Sequence, residues 1–124
     1  MSSYKEAFEA ELAKRGLAWC RGCCARSSHK RGFVIRDDKT TVHYDSEIGT
    51  RKTLHGGLHE IGHCVNDERG MRRYQAEANA ERFAGDLMRE LGIPVPRQVV
   101  ALGKSYVRRM KTWGNNISKG RRQP

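Results

Sequence analysis

His59 and His63 constrain this chain more than any other pair of residues. Histidines four apart act at one point only on a helix, where positions i and i+4 stack on one face. On an extended strand the same residues would lie about 13 Å apart. Two imidazoles meeting at one point are metal donors, and zinc suits such a pair. Glu60 beside His59 completes an H-E-x-x-H pattern. A glutamate there is placed to take a proton from a water activated by the ion, the chemistry of peptide-bond hydrolysis. The competing reading of the bare pattern is an ordinary polar helix face.

The helix predicted around the pattern covers residues 50–65. Gly56, Gly57 and Gly62 each weaken it by about 1 kcal/mol relative to alanine. Such a cost is easier to accept where another element or a substrate packs close.

A catalytic zinc takes three protein ligands and keeps a fourth position open. Glu77 is the best third candidate, 14 residues after His63 and on the next predicted helix, about 73–91. Ala76, Ala80, Phe83, Ala84, Leu87, Met88 and Leu91 mark that helix's apolar face. Glu81, one turn on from Glu77, suits a supporting acid that accepts a hydrogen bond from a ligating imidazole. The alternative for this pair is a solvated helix face. His55 extends the histidine line to i, i+4, i+8 and is read as a rim or supporting residue. Tyr44, His55 and Tyr74 are candidate oxyanion donors, and the sequence does not choose among them.

Other segments follow from local signals. Ser3 and Glu6 form a capping box that opens a helix running to about Arg15, with Gly16 as its stop. Residues 17–20 suit a short strand. Residues 32–36 and 40–44 are rich in β-branched and aromatic side chains around a polar turn, which predicts an antiparallel hairpin. Gly92 ends the second site helix, and residues 93–96 form a stiff connector into a last helix reaching about Trp113. The expected architecture is therefore α+β: one domain over residues 1–114, then a disordered basic tail over 115–124.

His59-Glu60-Ile61-Gly62-His63, with the segment from Glu77 through Glu81 to Ala84, resembles the ImmA/IrrE family of zinc metallopeptidases. The resemblance covers about residues 33–88. It implies a minimal zincin-like fold, in which a small antiparallel sheet packs on three to four helices and the active-site helix carries H-E-x-x-H. It implies one catalytic Zn2+ held by His59, His63 and Glu77, with Glu60 as general base. It also implies a protein substrate of the regulatory, repressor-like kind, which can be DNA-bound, and a phage or prophage setting. Two positions depart from the family pattern: Glu81 stands where an Asn or Asp is usual, and Arg89 follows Met88 where a Pro is usual.

Charge is unevenly spread. Of 24 Lys/Arg and 14 Asp/Glu, residues 97–124 hold eight of the bases and none of the acids. Lys104, Arg108, Arg109 and Lys111 mark a basic side of the last helix, and Lys119, Arg121 and Arg122 continue into the tail. These residues suit non-specific, salt-sensitive contact with nucleic acid, or simply a solvated basic face. A non-catalytic zinc-containing nucleic-acid-binding protein is thus the rival to a peptidase. Glu60 and the lack of an obvious fourth ligand favour the peptidase. A protease of the SprT kind is disfavoured because no histidine follows His63.

The N-terminal residues carry charge and no apolar core segment, and no stretch is long enough to span a bilayer. A cytoplasmic protein without membrane contact is expected, with reduced cysteines. Cys20, Cys23 and Cys24 include one C-x-x-C, and His29 and His43 could complete a second zinc site. That spacing matches no standard knuckle. Cys64 points away from the ligand face and suits the core.

Overall fold

The computed structural model describes residues 3–21, 40–99, 101, 104, 105, 108 and 109. Helix α1 spans Tyr4–Lys14, strand β1 Ala18–Cys20, strand β2 Thr41–His43, helix α2 Arg51–Val65 and helix α3 Arg73–Glu90. The described residues from 97 to 109 are also helical. The result is a mixed α+β fold in which helices dominate.

The helix ends follow the local chemistry. At α1, the Glu6 amide donates to the Ser3 hydroxyl and the Ser3 amide donates back to the Glu6 carboxylate, satisfying two amides that the helix leaves without partners. At α2, Thr50 and Thr53 make the same reciprocal pair. Both α1 and α3 stop at a glycine with positive φ, Gly16 at 67° and Gly92 at 75°. At each stop the third residue beyond the helix donates back across the turn, Leu17 to the Leu12 carbonyl and Ile93 to that of Met88, both at 2.9 Å.

Helix α2 runs through the middle of the core. Leu54, Leu58 and Ile61, spaced i, i+4, i+7, are all fully buried. They meet Phe8 and Leu12 of α1, Val42 of β2, Ile48 of the loop before α2, and Ala84, Leu87 and Met88 of α3. Phe8 stands edge-on to Trp19 with ring centroids 4.9 Å apart. The Trp19 indole N–H donates to the Tyr44 carbonyl at 2.9 Å. Glu11 is the buried acid of α1, and Arg15 and Lys14 on the same helix pair with it.

The sheet differs from expectation. Strands β1 and β2 pair in parallel, with Trp19 opposite Val42, not in the antiparallel sense. Parallel strands need a crossover of a dozen or more residues, and residues 21–40 supply that length. The expected hairpin partner, 32–36, lies outside the described residues, as do Cys23, Cys24, His29, Lys111, Lys119, Arg121, Arg122 and the proposed tail. Cys64 keeps a thiol and packs against the core, as its helix position suggested. No helix among the described residues is long and apolar enough to cross a membrane.

Candidate metal centre

The site forms where α2 and α3 come closest. A Cβ built on Gly62 would lie 3.0 Å from the Ala80 Cα and 3.3 Å from its carbonyl oxygen. Only a glycine facing an alanine allows two helix backbones this near. Short side-chain reach then suffices to join His59 and His63 on α2 to Glu77 on α3.

Those three residues converge. The His59 Nε2 lies 2.9 Å from Glu77 Oε1, and the His63 Nε2 lies 3.1 Å from Glu77 Oε2. The two Nε2 atoms are 3.1 Å apart. One donor atom from each residue falls within 4.8 Å of the others, a group that could hold a metal ion.

The far side of each imidazole is also held. The His59 Nδ1 is 2.7 Å from Glu81 Oε1, and the His63 Nδ1 is 2.5 Å from Glu68 Oε2. A carboxylate only accepts, so each Nδ1 carries the proton and each neutral ring turns its Nε2 lone pair inward. Two lone pairs and a carboxylate then face one another across about 3 Å, an arrangement that only positive charge between them makes favourable. Without a metal, protons fill that role. Burial alone would lower the His59 pKa, but its bonds to Glu77 and Glu81 outweigh burial and hold it up at about 10. Burial would likewise lower the His63 pKa, but bonds to Glu77 and Glu68 outweigh burial and raise it. Burial would raise Glu77, yet the two imidazoles hold its carboxyl far below the usual range.

His55 is 2 % exposed, and its Nε2 is 3.7 Å from Glu81 Oε2. Glu81 therefore stands between His55 and His59. Burial dominates at His55 and keeps it neutral near pH 7.

Glu60 opens onto a cleft of about 560 Å³, together with His59, Glu77, Glu81 and His55. Tyr44, Ser46, Lys52, Thr53, Gly56 and Val99 line the rest. Burial pushes the Glu60 carboxyl up, against the pull of both imidazoles. Of the three candidate oxyanion donors, Tyr44 and His55 reach this cleft and Tyr74 is not among its lining residues. The Tyr44 hydroxyl already donates to the Thr53 carbonyl at 2.9 Å.

Sequence reasoning missed Glu68. The available signal was chemical: a ligating histidine needs an acceptor at its second nitrogen, and Asp67 and Glu68 are the first acids after His63. Lys52, Ser46 and Val99 were missed as lining residues. Lys104, Arg108 and Arg109 are exposed, as their reading as a basic face required. No family model matches the chain, and neither a curated protein nor a solved structure matches it.

Proposed function

We propose that this protein is a zinc-dependent endopeptidase, with zinc held by His59, His63 and Glu77 and with Glu60 as general base. The observation that carries this reading is the convergence of two histidines and one carboxylate beside a half-buried glutamate, Glu60, whose cleft His59 and Glu77 also line. The donor set fits the ion. Tetrahedral zinc with bonds of about 2.0–2.1 Å places its ligand atoms roughly 3.3 Å apart, and one donor atom from each of these residues lies within 4.8 Å of the others. Two imidazoles and one carboxylate also leave room for a water, as catalytic zinc sites do and closed structural sites do not.

When bound, zinc supplies Lewis acidity that acidifies water and polarises the scissile carbonyl. Glu60 takes the proton of the attacking water and passes it to the departing amine. Its raised pKa suits a group that must both accept and return a proton. Glu81 and Glu68 keep the imidazoles in the tautomer that presents Nε2. His55 stands behind Glu81, its Nε2 3.7 Å from that carboxylate. The family resemblance to ImmA/IrrE peptidases belongs to the same proposal, and so does a regulatory, repressor-like protein as substrate.

Metal analysis of the purified protein should find about one zinc per chain. Glu60→Gln should keep that zinc and abolish cleavage of a quenched-fluorescence peptide library. Metal-free protein from a chelator-free preparation, or cleavage that survives Glu60→Gln, overturns the reading.

A further inference from the structure

A second groove lies apart from the metal cleft and shares none of its lining residues. It has a volume of about 550 Å³ and is lined by Arg89 at the end of α3, Pro94 and Val95 of the connector, and Arg97, Ala101 and Lys104 of the C-terminal helical residues. Three cations thus surround an apolar floor, with no acid among the lining residues. We propose that this groove is a nucleic-acid site that grips the phosphate backbone without reading sequence.

Charge is the first argument. Arg97 and Lys104 have no ion pair among the described residues. Arg89 pairs with Asp86 at 3.0 Å, but both side chains are mostly exposed, and such pairs hold weakly. Two of the three cations are arginines, whose planar fork matches phosphate oxygens. The groove also opens the segment 97–124, which holds eight Lys/Arg and no Asp or Glu. An unbroken run of positive charge fits a polymer with one negative charge per repeat.

The floor of Pro94, Val95 and Ala101 offers contact but neither a hydrogen-bonding side chain nor an aromatic face. Base reading and base stacking need one or the other, so binding is sequence-independent.

The C-terminal helical residues wall both sites, since Val99 lines the metal cleft while Arg97, Ala101 and Lys104 line the groove. The proposal nevertheless stands without the peptidase reading, because no metal ligand takes part.

The test is fluorescence anisotropy of the full-length protein with a labelled 20-base-pair duplex of mixed sequence, at salt from 50 to 200 mM. Each lost phosphate contact lowers the slope of log K against log salt by about 1. Arg89→Gln/Arg97→Gln/Lys104→Gln should therefore flatten the slope by about 2–3 relative to wild type. Lys5→Gln/Arg73→Gln/Arg82→Gln removes the same charge from exposed positions outside the groove and should flatten it by less than about 1. Circular dichroism checks that both variants fold. If the groove variant does not, Arg97→Gln and Lys104→Gln taken singly should each still show a drop of about 1. Equal loss in the two triple variants overturns the proposal. So does tighter binding of polyglutamate than of the duplex, which would assign the groove to an acidic peptide.

Discussion

Replacing Gly62 by alanine tests what sets the geometry of the metal centre. A methyl group there meets the Ala80 Cα at 3.0 Å, the Phe83 ring at 3.2 Å and the Ala80 carbonyl at 3.3 Å. Two of these three atoms belong to the α3 backbone and cannot turn aside, so α2 and α3 must separate by a few tenths of an ångström. Overpacking of this kind costs about 1–3 kcal/mol. Alanine returns about 1 kcal/mol through helix propensity. The net is a loss of up to about 2 kcal/mol, and each kcal/mol lowers Tm by roughly 4 °C or more in a domain of this size. Gly85→Ala is the internal control. Its nearest neighbours are the Arg89 guanidinium nitrogens at 3.6 and 3.9 Å, an ordinary contact with a flexible side chain. That variant keeps the propensity gain and should be more stable than wild type by up to about 1 kcal/mol. Thermal unfolding of the zinc-free proteins measures both changes. Gly62 also lies between His59 and His63, opposite the helix that carries Glu77, so Gly62→Ala should weaken zinc binding by roughly tenfold in a competition assay with a chromogenic chelator. Gly85→Ala should leave it unchanged. If Gly62→Ala stabilises the protein as Gly85→Ala does, and binds zinc as wild type does, the close approach of the two helices does not govern the site.

Other expectations follow from the same contacts. Glu68→Gln weakens the hold on the His63 Nδ1 and should cost roughly tenfold in zinc affinity, with Glu81→Gln similar at His59; chelator competition measures both, and unchanged affinity rules out the anchoring role. Stability of zinc-free protein should depend on pH in a defined sense. The folded pKa of His59, about 10, lies above its ordinary 6.5, so its contribution is complete below pH 6.5 and fades as pH rises towards 10. Glu77 is depressed below 4.5, so its contribution is complete above about pH 4.5 and fades as pH falls further. The zinc-free protein should therefore melt highest near pH 5–6 and lower at pH 9, while zinc loading should stabilise more at pH 9 than at pH 5.5 because protons no longer compete for the ligands. A zinc-free Tm that rises from pH 5.5 to 9 would falsify this assignment. Phe8→Ala empties a fully buried position beside Trp19 and should cost about 3–5 kcal/mol in denaturant unfolding; a loss under 1 kcal/mol would mean that α1 is not tied to the core.

The helices and the convergence of His59, His63 and Glu77 were legible because their signals are local. Ser3 with Glu6, Gly16 and Gly92 mark helix ends by chemistry within a few residues, and His59 and His63 share a face by spacing alone. Glu77 and Glu81 needed only the assumption that the next helix returns antiparallel. The strand pairing was not legible. Residues 32–44 carry a strong local hairpin signal whose first strand lies outside the described residues, whereas β1, the described partner of β2, is more than twenty residues away. Glu68 was hidden because loop residues give no periodicity from which to infer direction. Ile48 joined the core from a loop for the same reason. Lys52 and Val99 reached the cleft through tertiary packing, which helix spacing in either segment alone does not encode.

All the ligands and both of their carboxylate anchors come from α2, α3 and the loop between them, residues 51–90. The centre is therefore a helical hairpin of low contact order, with a gap of only 14 residues between His63 and Glu77. Contacts this close in sequence have a small chain-closure entropy to overcome and form early in folding. The β1–β2 pairing, by contrast, spans more than twenty residues. In refolding of the whole chain, a hairpin over 51–90 that takes up an ion would act as a local nucleus for the core that packs around α2.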